Sequence, residues 1–115
     1  MPGARGEATI QADDREVQVL FTNRALARAE GLIGKSVIGV AQGFTEGTTG
    51  VADIAYLLQA GMEAARRDAR AGGSVVTLND AFQVLDEAGF TAVTVAVMEA
   101  VSAVLSFSGD QAPNA

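Results

Sequence analysis

Residues 7–21 read EATIQADDREVQVLF, two alternating runs that meet at a pair of aspartates. Side chains alternate across a strand, so the apolar residues of the second run fall mainly on one face. Asp13-Asp14 between the runs is a turn signal. The stretch predicts a β-hairpin with strands Glu7–Ala12 and Glu16–Phe21. Because an isolated hairpin is barely stable in water, we expect it to pack on helices or to pair with another chain.

The sequence after the hairpin predicts four or five mostly amphipathic helices, and therefore an α+β fold. Thr22 or Asn23 can cap the first helix and Gly34 can end it in a left-handed conformation. Ser36 can cap a short second helix. Gly43 and residues 45–50, TEGTTG, then indicate a loop.

Residues 49–70, TGVADIAYLLQAGMEAARRDAR, predict the third helix, with an apolar stripe at helical spacing and a basic end. We expect Gly72-Gly73 to end it. Asn79 or Asp80 can cap a fourth helix. Thr91 can cap a last helix, Ala92–Phe107, whose nearly uniform apolar character predicts burial in the core or in an interface.

The domain organisation predicted from these patterns is simple. Residues 1–5 form a flexible amino terminus, residues 6–107 a single domain, and residues 108–115 a disordered tail. The amino terminus lacks the apolar segment of a signal peptide. The apolar run Thr91–Phe107 is interrupted by Glu99 and is short for a bilayer. We therefore expect a soluble, cytoplasmic protein that does not enter a membrane.

Composition restricts the chemistry of the chain, because none of its 115 residues is histidine or cysteine. Ser-His-Asp and Cys-His catalysis and thiolate metal sites are excluded. An enzyme would have to rely on carboxylates, Lys35 or Tyr56, so we predict a protein that is not an enzyme and has no cofactor. Gly34-Lys35-Ser36 has the ending of a phosphate-binding loop but lacks its first glycine, and a break between helices is the better interpretation.

The pattern and number of acidic residues argue against both a metal site and nucleic-acid binding. Asp80, Asp86 and Glu87 lack the alternating ligand pattern of a calcium loop, so a solvated helix face is favoured over a metal site. The net charge is −6, and residues 72–115 carry five acidic residues and no basic one. Nucleic-acid binding requires basic surface, so we predict no nucleic-acid partner.

The order of these patterns resembles a known family. The matching residues are Phe21–Glu30, the Gly34-Lys35-Ser36 break, and the D-I-x-x-L-L-x-A-G-M pattern of residues 53–62, followed by a helix, a glycine and an apolar last helix. Over residues 6–107 the chain resembles the small tail assembly chaperones of long-tailed phages and gene transfer agents.

The resemblance implies a function based on binding. Members of this family are thought to coat the tape-measure protein, a long helical ruler, and to recruit tail-tube subunits to it. The chain would then have the tape-measure and tail-tube proteins as partners in the bacterial host. The alternative is a structural virion or adaptor protein, such as a tail or head–tail connector component that is retained in the particle.

Two sets of residues are candidates for partner contact, and each also has a purely structural interpretation. The basic end of the third helix either complements the helix dipole or contacts an acidic partner; it consists of Arg66, Arg67 and Arg70. The apolar residues are core or, in part, a face offered to a client helix; they are Ile54, Leu58, Met62, Val97 and Val101. Core is favoured for the apolar set. We also expect a homo-oligomer, formed through hairpin edges or the last helix.

Overall fold

The computed structural model describes residues 5–110, which form a two-stranded antiparallel sheet and five helices. The elements are β1 (Arg5–Ala12), β2 (Arg15–Thr22), α1 (Asn23–Ile33), α2 (Val37–Glu46), α3 (Val51–Asp68), α4 (Leu78–Ala88) and α5 (Phe90–Asp110). The predicted α+β architecture is confirmed. Most of the predicted flexible amino terminus (residues 1–4) and residues 111–115 of the predicted tail lie outside the described residues.

The predicted hairpin is present, and its strands extend slightly beyond the predicted ends. Ile10 pairs with Val17 and Ala8 with Val19. These residues share one face with Phe21, which is completely buried. Asp13 begins the two-residue turn with a φ of 56°, a left-handed conformation that aspartate tolerates better than most residues. The sheet therefore has an apolar face that the helices must cover.

Helices α3 and α5 cover that face, and two glycines allow the close approach. Gly61 of α3 lies under the Phe21 ring, where a Cβ atom would come within 2.6 Å of Cζ. Gly6 of β1 lies against the backbone of Ala100 in α5, and a Cβ there would overlap the Ala100 carbonyl. Each glycine thus lets a helix backbone and the sheet meet at a distance that any other residue would prevent.

Both ends of α1 and the start of α2 form as the sequence predicts. The end of α2 does not, because the helix continues through Gly43 to Glu46, into the predicted loop, and ends at Gly47 with a φ of 79°. Thr22 accepts a hydrogen bond from the Ala25 backbone N–H, at 3.1 Å, and Gly34 ends α1 with a φ of 83°. Ser36 caps α2 by accepting from Gly39 N at 2.9 Å. These residues supply the acceptors and the left-handed conformation that helix ends need, which local sequence alone can reveal.

The predicted ends of the later helices are wrong by a few residues. Thr77 caps α4, and Asp80 sits at the third helical position, where its carboxylate accepts from Thr77 N and completes a capping box. Helix α3 ends at Asp68 instead of Gly72-Gly73. Arg70 adopts a left-handed φ of 55°, and Ala71 N donates back to Arg66 O at 3.0 Å, which closes the helix early.

Helix α5 begins at Phe90 instead of Ala92 and continues three residues beyond Phe107, into the predicted tail. Its inner side is buried against the hairpin and the other helices, including Val93 and Val104. Its outer side is more open, and Val95 is 45% exposed. Within residues 5–110 no single helix is long and apolar enough to cross a bilayer. Helix α4 and most of α5 together have the required length and apolar composition, but the two helices are bent by 115° relative to each other.

We predict that Gly61→Ala destabilises the protein. The added methyl group would meet the Phe21 ring at 2.6 Å, and overpacking of this kind costs about 1–3 kcal/mol. Removal of a glycine from a helix interior returns up to about 1 kcal/mol. We therefore expect a net loss of about 1 kcal/mol or more in the free energy of unfolding, measured by urea titration.

Gly31→Ala is the matched control, because a Cβ atom at Gly31 in α1 would meet nothing within 4 Å. This substitution should leave stability unchanged or raise it by up to about 1 kcal/mol. Equal effects of the two substitutions would contradict the close packing of α3 on Phe21.

Candidate functional site

The carboxyl-terminal part of α3 contains a buried glutamate, Glu63, whose side chain is held by two arginines. Glu63 is 4% exposed. Arg66 donates to both of its oxygens, from Nε to Oε1 at 2.9 Å and from Nη2 to Oε2 at 2.7 Å. Arg67 donates from Nε to Oε2 at 2.7 Å. The i,i+3 and i,i+4 spacing brings both guanidinium groups to the same carboxylate.

The same cluster fixes the link between α3 and α4. Val76 N donates to Glu63 Oε1 at 2.9 Å, and Gln59 Nε2 donates to Val76 O at 3.2 Å. Arg66 Nη1 also donates to Ala71 O at 3.2 Å. Both ends of this irregular segment are therefore bonded to side chains of α3. The hydrogen bonds satisfy backbone groups that would otherwise lack partners.

Ion pairing lowers the pKa of Glu63 far below the ordinary value of 4.5. The hydrogen bonds from Arg66 are the largest cause. Burial opposes the shift, and the Val76 N–H and Arg67 reinforce it. The carboxylate is thus ionised at neutral pH and its charge is compensated locally, which suits a structural ion pair better than a proton-transfer group.

The structure separates the predicted partner-contact residues into two groups. Ile54, Leu58 and Val97 are 0% exposed, so these three residues are core and offer no surface to a partner in this conformation. Val101 is 1% exposed and is also core, but it lies at the bottom of a groove described below. Met62 is partly buried and packs against the core.

The predicted arginine set does not act as a unit. Arg66 and Arg67 bind Glu63, whereas Arg70 lies beyond the end of α3 and has no ion pair among the described residues. Arg67 nevertheless keeps a side chain that is 58% exposed, and it remains available for a second contact.

Two of the open grooves on the surface near these elements have linings that suit contact with a partner. The first, called here the basic groove, has a volume of about 300 Å³ and lies between β2, α1 and α3. Leu20, Ala25 and Ala64 contribute apolar surface to it. Three arginines also line it, namely Arg24, Arg28 and Arg67. Two carboxylates line it as well and are paired with arginines, Glu63 with Arg66 and Arg67, and Asp68 with Arg5.

The second, called here the apolar groove, has a volume of about 150 Å³ and lies between α2 and α5. Its lining is mostly apolar and consists of Ala41, Phe44, Thr45, Met98, Val101, Ser102 and Leu105. Phe44, Met98 and Leu105 are only partly buried. The groove therefore presents apolar side chains to solvent.

The other motifs have structural roles. Lys35 of the Gly-Lys-Ser break pairs with Asp53 at 2.8 Å and links the α1–α2 turn to the start of α3. Arg15 donates to Glu87 Oε1 from Nε at 3.2 Å and joins the hairpin to α4. Asp80 is occupied in the α4 capping box, while Asp86 is exposed. No cluster of three or more acidic side chains that could hold a metal ion occurs in the part of the chain that the structure describes.

Comparisons of the chain with protein-family models, with curated proteins and with solved structures found no match.

The Glu63 cluster is what sequence reasoning missed. Its signal was present, since Glu63 stands three and four residues before Arg66 and Arg67 on one helix face. The helix-dipole interpretation of the arginines treated them as exposed and left Glu63 unassigned. The two grooves had no sequence signal, because each combines residues from elements that are distant along the chain.

We predict that Glu63→Gln destabilises the protein and removes part of its pH dependence. Glutamine is uncharged, and its amide nitrogen cannot accept the two hydrogen bonds that each carboxylate oxygen of Glu63 accepts. Loss of one partner of a buried pair also leaves charge uncompensated. We expect a loss of about 2–3 kcal/mol at pH 7, less than for a fully buried pair because Arg67 is largely exposed.

The lowered pKa of Glu63 determines how the free energy of unfolding changes with pH. Stability contributed by Glu63 is complete above its ordinary pKa of 4.5 and is lost as the pH falls below that value. Urea titrations at several pH values from 7 down to 3 would therefore show a smaller decline for the variant than for the wild type. Glu46→Gln, at an exposed α2 residue, is the control and should follow the wild type. Parallel declines for wild type and Glu63→Gln would contradict the assignment.

Proposed function

We propose that the chain is a non-catalytic tail assembly chaperone of the kind found in long-tailed phages and gene transfer agents. It would bind the tape-measure protein, keep it soluble and help to recruit tail-tube subunits in the cytoplasm of the bacterial host. The proposal rests on the resemblance of residues 6–107 to that family and on one structural observation, the apolar groove between α2 and α5.

The apolar groove has the chemistry that a client helix requires. An amphipathic helix binds by laying its apolar side chains into an apolar surface, and each Å² removed from water contributes about 25 cal/mol. Phe44, Met98 and Leu105 supply such a surface. Methionine is flexible and polarizable, so Met98 can adapt to different client side chains. This suits a chaperone that must cover many segments of one long helical protein.

The weak packing of α2 supports the same proposal. Only Val37 and Val40 of this helix are buried. Glu30 accepts from Val37 N at 2.8 Å, and Thr49 Oγ1 donates to Val40 O at 2.6 Å. Thr48 N and Thr49 N donate to Gly43 O, so these attachments all lie before Phe44. Segments with few buried contacts move at low energetic cost. The end of α2 that carries Phe44 can therefore adjust the width of the groove.

We predict that Ser102→Arg abolishes client solubilisation. Ser102 is an exposed residue of the groove lining, so a long charged side chain there would block the groove without disturbing the core. The measurement is the soluble fraction of a tape-measure fragment, encoded in the same genome, when it is co-expressed with each variant. The wild type should keep most of the fragment soluble, and Ser102→Arg should reduce this to the level of the fragment alone.

Gln42→Arg is the matched control, because it adds the same charge to an exposed α2 residue outside the groove lining. It should behave as the wild type. A fragment that is equally insoluble with and without the wild-type chain would contradict the proposal, as would full activity of Ser102→Arg. Retention of the chain in purified mature particles would instead indicate the structural or adaptor alternative.

A further inference from the structure

The basic groove has apolar surface beneath positive charge. Leu20 and Ala25 line the bottom of the groove and form its apolar part, with 5% and 6% of their surface exposed. Arg24 and Arg28 line it from α1. The charged residues that line it from α3 are already paired, Arg67 with Glu63 and Asp68 with Arg5, so the uncompensated charge of the groove comes from α1. A ligand that suits this groove must therefore combine an apolar side chain with a negative charge.

The α1 arginines lack local compensation. Arg24 and Arg28 are exposed, and neither makes an ion pair within residues 5–110. They are also four residues apart on one helix, where like charges repel and destabilise the helix slightly. A carboxylate from outside would relieve this repulsion and pair with the exposed guanidinium groups.

The chain itself displays a surface of matching chemistry. Among the described residues, the large apolar side chains that are exposed are Leu32, Ile38, Val51, Val75 and Val95. Only Val95 has a carboxylate one helical turn away, Glu99, at the i+4 position that shares its helix face. Glu99 is exposed and makes no ion pair in the described part of the chain.

We propose that the basic groove binds the α5 face of a second copy of this chain. Val95 of one copy contacts the apolar surface around Leu20 of the next, and Glu99 pairs with Arg24 and Arg28. The two surfaces differ, so the contact is head-to-tail. The copy at one end of the assembly then keeps an unused groove and the copy at the other end an unused α5 face, so assembly continues into an open chain or closes as a ring. The apolar groove between α2 and α5 is lined by other residues, so this proposal does not depend on the chaperone function.

The test is a charge-reversal experiment on the full chain, read by sedimentation velocity over a range of concentrations at low salt. Wild type should self-associate, and higher salt should weaken the association because the pairing charges are exposed. Arg28→Glu and Glu99→Arg, made separately, should each weaken self-association at least tenfold, since like charges would then face each other. A chain carrying both substitutions should recover to within a few fold of the wild type.

Asp86→Arg is the matched control, because Asp86 is an exposed acidic residue on α4. It should associate as the wild type does. Circular dichroism should show that all variants fold, since no substituted residue is buried or paired. A wild-type chain that stays monomeric at millimolar concentration would overturn the proposal. Failure of the double variant to recover would also overturn it, as would a loss of association in Asp86→Arg alone.

Discussion

The close approach of α3 and α5 to the hairpin is the constraint on which the rest of the structure depends. Two strands cannot sustain themselves in water, so the face containing Val19 and Phe21 must be buried by helices. Few of the apolar residues are aromatic, so the core gains little from large side chains and relies on short distances between backbones. Gly61 and Gly6 provide those distances, one against the Phe21 ring and the other against the backbone of Ala100.

This packing determines where the polar and apolar surfaces lie. Glu63 follows Gly61 by two residues, about half a turn of α3, and is buried on another side of the helix. Arg66 and Arg67 pair with it there. The main role of these two arginines is therefore structural, because with Glu63 they join α3 to the following segment. Burial of the inner face of α5 leaves its opposite face, with Val95 and Glu99, directed to solvent. The surfaces available to partners are what remains after the hairpin has been covered.

Local sequence determines much of the fold, and it determines little of the candidate site. The hairpin, the Thr22 and Ser36 caps and the Gly34 helix end follow from alternation, hydrogen-bonding capacity and backbone freedom, which neighbouring residues specify. The end of α3 does not follow from neighbouring residues. Arg70 adopts a conformation that usually belongs to glycine, and Glu63 and Arg66 hold the segment that follows it by hydrogen bonds. The burial of Ile54 and Val97 follows from helical periodicity, but the grooves arise only when distant elements meet.

The proposed client helix would lie between α2 and α5. Its binding can be followed by hydrogen–deuterium exchange, measured on the chain alone and bound to a tape-measure fragment. We expect slower exchange in α2 around Phe44 and in α5 from Met98 to Leu105, because the client would cover the groove that these residues line. Unchanged exchange in both segments, with slowing confined to other elements of the bound chain, would contradict the proposal.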